Sequence, residues 1–271
     1  MKSLALILMA SLLVFMPAAS FSAASFEDIK SGREVQARVK ARYVGDDLYS
    51  STEITLTNRS GAFRNRALNR FTKDYNGLKK TIIRITAPPD IRLTGLLILE
   101  EPNSPDLQVL YVPAMKKTRR ISTKDRDQSF VGSDFTLYDM GYIEMDDFDY
   151  SDTTTEFIDG RECWRYTCAL KPGSDAPYGK VEAWVDKEYV IRTKMVYYDK
   201  KAGKLLKTFM AKEITLVQGI WTPHYLIMEN YPDNHKTEFR MKVTYNVGVP
   251  DELFNMATLE ICRDVEFVGD R

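Results

Sequence analysis

Apolar residues recur along this chain at two periods. Near the start, Phe26, Ile29, Val35 and Val39 make a partial apolar face. Ser25 can cap a helix there, and Glu27 and Asp28 suit its positive end, so a helix is expected over 26–44 despite Gly32. Gly45-Asp46-Asp47 then closes it as a turn. Beyond that point the period drops to two. Thr52, Ile54 and Leu56 alternate with Glu53, Thr55 and Thr57, and Phe239, Met241, Val243 and Tyr245 alternate with Glu238, Arg240, Lys242 and Thr244. Strands are expected between them at 63–75, 80–87, 94–100, 109–112, 190–198, 205–216 and 220–231. Trp164, Tyr166, Cys168 and Leu170 share one strand face, and Val181, Ala183 and Val185 share the next. Within 190–198, Arg192 and Lys194 alternate with apolar neighbours. Residues 94–100 read as apolar on both faces. Asn76-Gly77 and Asp159-Gly160 are hairpin turns, and Pro223 marks an edge or a bulge. Pro250 and Asp251 open a short helix through Phe254.

Strands joined by tight turns form an antiparallel meander, and one alternating face per strand means a single buried side. That side carries Trp, Tyr, Phe and Met. Such side chains suit a cavity that adapts to a guest, yet they also fill ordinary β cores, and periodicity does not separate the two. No repeat and no linker to a second domain is visible.

The chain is organised around residues 110–140, LYVPAMKKTRRISTKDRDQSFVGSDFTLYDM. A short apolar strand stops at Pro113, a basic cluster follows (Lys116, Lys117, Arg119, Arg120), and Phe130 and Phe135 flank Gly132, Ser133 and Asp134. Tyr138 and Asp139 complete the stretch. Composition alone reads it as a turn and a surface loop. The same residues, with Tyr111, Ile121 and Ser129, and with Tyr75, Arg84, Pro88, Asp90, Gly95 and Leu97 upstream, resemble the signature of the outer-membrane lipoprotein-sorting protein family, in the LolA/LolB-like superfamily of periplasmic carriers. A looser similarity continues through Tyr197-Tyr198-Asp199, Gly203-Lys204, Trp221 and 251–254.

The resemblance implies a mainly β fold, an open half-barrel of antiparallel strands with helices plugging its concave side. It implies a non-enzymatic carrier whose apolar cavity holds the acyl chain of a lipoprotein or lipid, and an inner-membrane RND/MMPL-type export transporter as partner. The residues expected to line the cavity are Leu97, Leu99, Leu110, Val112, Trp164, Tyr166, Phe239, Met241 and Val243. The expected lid is Arg119, Arg120, Phe130, Gly132, Ser133, Asp134, Phe135, Tyr138 and Asp139. Arg119 or Arg120 is expected to point inward and fix the lid by gripping Asp134 or Asp139, with the fork geometry only arginine has. Lys116 and Lys117 would face solvent and meet a partner or an anionic membrane surface. The competing reading is a transporter adaptor whose barrel is a filled core.

Charge changes the picture little. Lys plus Arg and Asp plus Glu are both 38 in 271 residues, which disfavours a nucleic-acid partner. Lys2, the apolar run Leu4 to Phe15, Pro17 and the small residues to Ala24 read as a cleavable signal peptide over 1–24, leaving one domain over 25–271 exported to the periplasm. No cysteine lies near that site, so no lipid anchor is expected. Cys163 and Cys168 sit roughly 17 Å apart on one strand and on opposite faces, so they do not pair with each other. Cys262 with one of them, or three buried thiols, both remain open. No metal spacing, phosphate cradle or cofactor motif is present, and the acids from Glu144 to Asp149 fit no calcium loop. Catalysis through Ser129 or Ser133 would require His224 or His235 beside it.

Overall fold

A computed structural model describes residues 29–102, 104–142 and 144–261. The expected signal peptide and Cys262 lie outside these residues. Among the described residues, fourteen strands form one antiparallel sheet. The first arm contains β1 (Asp47–Thr57), β2 (Phe63–Tyr75), β3 (Leu78–Ala87), β4 (Gly95–Glu101), β5 (Ser104–Val112) and β6 (Lys117–Arg120). The second contains β7 (Phe148–Tyr150), β8 (Thr154–Ile158), β9 (Arg161–Leu170), β10 (Tyr178–Asp186), β11 (Arg192–Asp199), β12 (Leu205–Val217), β13 (Ile220–Asn230) and β14 (His235–Tyr245). The spatial order is β6-β5-β4-β3-β2-β1-β14-β13-β12-β11-β10-β9-β7, with β8 pairing β9. Each arm is a meander. They meet where β1 pairs β14, from Leu48 opposite Tyr245 to Thr57 opposite Lys236. The outer strands β6 and β7 do not pair with each other, so the barrel is open.

The turn residues account for the meander. Asn76 and Gly77 have φ of 57° and 91°, and Asp159 and Gly160 have 50° and 79°, the left-handed pairs that a two-residue hairpin needs. Pro223 falls where β13 has no β14 partner, since that ladder begins at Tyr225 opposite Arg240. The missing N–H is therefore tolerated.

Alternation assigns the two faces. Ile54, Leu68, Ile83, Ile85, Leu96 and Phe239 lie in the concave core. The opposite positions Phe71, Ile82, Leu97 and Val109 form a second cluster on the convex face with Val249, Leu253, Phe254 and Leu259. The C-terminal segment, a 3₁₀ turn at Asp251–Leu253 and a helix at Met256–Ile261, therefore covers the back of β2 to β5. The expectation of a single buried side fails for β2, β3 and β5, whereas β4, expected to be apolar on both faces, is buried on both. Asp47 starts the cover by accepting the N–H groups of Val247, Gly248 and Val249 at 2.7, 3.1 and 2.9 Å. Gly95 permits it, because a Cβ there would sit 2.6 Å from Leu259 Cδ1.

The concave side is plugged by α1 (Gly32–Ala41), α2 (Leu137–Met140) and the irregular chain from Ile121. Helix α1 is shorter than the pattern predicts. Ser31 bridges Asp152, and Gly32 N–H donates to Ser151 O at 3.0 Å, so the helix starts only at Gly32; the expected start at Phe26 lies outside the described residues. Gly32 opens the helix because a Cβ there would lie 2.7 Å from the Tyr166 side chain. Val35 is fully buried, and Tyr166 Oη donates to Gln36 Oε1 at 3.0 Å.

Candidate functional site: a half-filled concave face

The plug packs against both arms but leaves part of the second arm's inner face uncovered. Ile121, Phe130, Phe135 and Leu137 join the core that includes Ile54, Leu68, Ile83 and Leu96 of the first arm. Ile121 N–H donates to Gln108 O at 2.8 Å, and Gln108 Nε2 donates to Leu137 O at 3.1 Å, which pins both ends of the plug to β5. Arg66 of β2 donates to the Val131 carbonyl at the loop tip, where Val131 and Gly132 have φ of 46° and 73°.

Under the second arm a hollow of about 400 Å³ remains. Its wall is the inner face of β9 to β13, including Tyr166, Val181, Met195, Tyr197, Phe209 and Met228. Val39 of α1, Phe135 and Tyr138 of the plug, and Phe148 and Tyr150 close the other side. Its dimensions fall in the range of small-molecule sites. Six tyrosines line it, Tyr138, Tyr142, Tyr150, Tyr166, Tyr178 and Tyr197. The hydroxyls of Tyr138 and Tyr150 are buried without a hydrogen-bond partner. Burial raises both phenols well above their ordinary range. Cys168 also faces the hollow, and burial pushes its thiol up to about 12.

Two buried carboxylates hold the plug in place. Asp134 accepts from Thr237 Oγ1 at 2.7 Å and Asn230 Nδ2 at 3.1 Å, and lies 2.6 Å from His235 Nδ1. Asp139 accepts from Tyr178 Oη at 2.8 Å and from Lys207 Nζ at 2.5 Å. It also caps α2, accepting from Thr136 N–H at 2.7 Å while Thr136 Oγ1 accepts from Asp139 N–H at 3.2 Å. Farther along, the buried Asp106 accepts from Tyr142 N–H at 2.7 Å. Burial pushes the Asp106 carboxyl up to about 7.

Arg119 and Arg120 do not hold these acids, which corrects the sequence reading. Both lie on the exposed edge strand β6, opposite Leu110 and Val109. Arg119 instead donates to Gln128 at 3.1 Å. The grip comes from Lys207 of β12 and His235 of β14, across the barrel from the basic cluster. Nothing in local spacing connects Lys207 to Asp139, because the contact spans 68 positions and depends on closure of the second arm.

The nine expected lining residues separate. Tyr166 lines the hollow. Trp164 and Phe239 are buried in the concave core, with Phe239 stacked on Phe135 at 4.5 Å, while Leu110 and Met241 pack against that core. Val243 is half-buried opposite Ser50, and Val112 is half-buried opposite Lys117. Leu97 and Leu99 point to the convex face and pack against the C-terminal cover, outside the hollow. Of the expected lid, Phe135, Tyr138 and Asp139 reach the hollow. Phe130, Ser133 and Asp134 are buried in the plug, and Gly132 is exposed.

Arg192 is the residue that alternation misplaces. Pairing runs Trp184 opposite Lys194 and then Val185 opposite Arg192, so β11 carries one extra residue there. This bulge turns Arg192 onto the inner face, where it lines the hollow with Met195 and Tyr197. Only a β-bulge signal before Lys194 would have revealed it, and the sequence carries no glycine at that point.

Serine and histidine chemistry finds no assembly here. Ser133 Oγ donates to Phe130 O at 2.7 Å, and Ser129 Oγ donates to Ser133 O at 2.5 Å. His224 pairs with Thr215 and the Met241 carbonyl at 3.0 and 2.9 Å. Among the described residues, no group of three His, Cys, Asp or Glu side chains converges as a metal site, and no helix is long and apolar enough to cross a membrane. Cys163 and Cys168 are free and buried.

A family model described as "Uncharacterized protein" matches residues 77–261. No curated protein matches the chain. Among solved structures, a DUF1329 family protein from Desulfovibrio piger superposes with a TM-score of 0.78 at 25% identity, over 84% of this chain and 97% of that one. An outer membrane lipoprotein-sorting protein domain from Vibrio parahaemolyticus also gives 0.78 at 25% identity, over 84% and 98%. A LolA superfamily protein from Nitrosomonas europaea shares the fold, with a TM-score of 0.64 at 18% identity over 84% and 99%.

Proposed function

We propose that this chain, which belongs to the family whose model matches residues 77–261 and resembles an outer membrane lipoprotein-sorting protein domain, carries an acyl chain through the periplasm. The signal peptide over 1–24 delivers a single carrier domain, 25–271. The hollow under the second arm receives the chain of a lipoprotein or lipid and shelters it until hand-off toward the outer membrane. The carrying observation is the 400 Å³ space on the concave face, walled by aromatic and methionine side chains that the plug does not fill. Each methylene moved there from water gains ~0.8 kcal/mol, so no catalytic group is required to drive loading.

Partner contacts belong to the opposite edge in this reading. Lys116, Lys117, Arg119 and Arg120 are all exposed at or beside the unpaired edge of β6. They meet an anionic membrane surface transiently, or the RND/MMPL-type transporter that supplies cargo. Native mass spectrometry of protein released gently from cells, followed by lipid extraction, tests the proposal. A carrier shows an added mass that extraction removes and identifies as an acyl lipid. Protein that is uniformly unliganded, and that takes up no acyl lipid on incubation, contradicts it and leaves the adaptor reading.

A further inference from the structure

The charges around the hollow do not cancel. Lys207 neutralises Asp139, and Lys40 sits 2.8 Å from Glu100. Arg42 and Arg192 line the same hollow, and among the described residues its carboxylates Glu100 and Asp139 pair with Lys40 and Lys207 rather than with either arginine. Arg42 Nη1 donates to the Trp221 carbonyl at 3.0 Å. Arg192 Nε is buried with no hydrogen-bond partner, and the guanidinium meets the neutral Tyr166 hydroxyl rather than a carboxylate. Burial pulls the Arg42 guanidinium below its ordinary range, with Tyr245 opposing and the nearby Arg192 charge adding to the lowering.

Two partly buried guanidiniums without a carboxylate partner beside an apolar wall are a costly arrangement. A cargo with a negative head would relieve it, because arginine forks match the oxygens of carboxylate and phosphate. The bulge in β11 exists at the position that brings Arg192 inward, and bulges of this kind often re-aim a side chain beside a functional site.

The geometry points to Arg42 and Arg192 as a headgroup subsite that selects anionic amphiphiles, with the carboxylate or phosphate held by the guanidiniums and the chain lying against Met195, Phe209 and Met228. This rests on the carrier reading and adds the class of cargo to it. Neutral chains would fill the same space without satisfying the arginines.

The test compares oleate, lysophosphatidic acid and monoolein, each below its micelle concentration, by titration against the mature full chain, with inorganic phosphate as a chain-free control. The expected result is oleate and lysophosphatidic acid binding about tenfold more tightly than monoolein, with phosphate alone failing to compete. In Arg192→Gln, or in Arg42→Gln should the first fail to fold, the anionic-over-neutral preference collapses. Equal affinity for oleate and monoolein overturns the subsite and leaves the carrier reading intact. Phosphate that displaces oleate at comparable concentration also overturns it, because the site would then be a plain anion site. Failure of all three amphiphiles to bind overturns both.

Discussion

Lys207 Nζ lies 2.5 Å from Asp139 Oδ2, and both side chains are only 6% exposed. The same ammonium donates to the Asp134 carbonyl at 3.1 Å and faces the rings of Tyr178 and Tyr197 at 4.8 and 5.2 Å. One cation on β12 thus fastens the plug to the second arm at the rim of the hollow. Lys207→Met strands a buried carboxylate and is expected to cost about 3–5 kcal/mol. Adding Asp139→Asn removes that stranded charge and should return part of the loss. Urea unfolding of the two variants and the wild type measures both effects.

The arginines first expected to do this work should matter little. Arg119→Ala and Arg120→Ala are expected to shift stability by less than about 0.5 kcal/mol, since both side chains are exposed on an edge strand. An unfolding midpoint lowered as far as that of Lys207→Met would restore them as the latch.

Close approach of α1 to β9 gives a third outcome. Gly32→Ala places a methyl 2.7 Å from Tyr166, which must move into the hollow or push the helix away. A loss of about 1–3 kcal/mol is expected from such overpacking, again read from urea midpoints. Gly160→Ala also loses stability through its φ of 79°, but it meets nothing within 4 Å, so it should leave chain binding untouched.

Asp106 sets a pH dependence. Its folded carboxyl is raised to about 7 by burial, above the 3.8 of an ordinary aspartate, so the folded state holds the proton over a range where the unfolded chain has released it. Stability therefore falls as pH rises from about 4 to about 7 and levels above that. Asp106→Asn should flatten this component by on the order of 2 kcal/mol between pH 5 and 7.5. Guanidinium titrations of both proteins at fixed pH steps read it. A wild-type slope equal to that of Asp106→Asn would place the Asp106 pKa at its unfolded value.

Much of the fold was legible because its causes are local. Asn76-Gly77 and Asp159-Gly160 specify hairpins wherever they occur between alternating runs, and the alternation of β14 from Phe239 to Tyr245 appears intact in the structure. The open half-barrel followed from these, together with the resemblance carried by residues 110–140. The site was less legible because its causes are distant. Leu97 and Leu110 look equivalent in sequence, yet register sends one to the convex face and the other to the concave core. The C-terminal cover that makes this tolerable needs a helix at 256–261, beyond the short one expected through Phe254. Which part of the inner face stays uncovered depends on the direction taken by the plug after Ile121, and no periodicity records that. Arg192 was hidden by a single inserted residue in β11.

In the carrier we propose, an acyl chain occupies the space beneath the second arm. The most direct measurement is photo-crosslinking of a palmitoyl chain bearing a diazirine at its terminal carbons, followed by peptide mapping of the labelled protein. Labels on β9 to β13, at Met195, Phe209, Leu226 or Met228, are the predicted result. Labels confined to the convex cover around Leu253 and Leu259, or label absent from every peptide at saturating probe, would contradict the account.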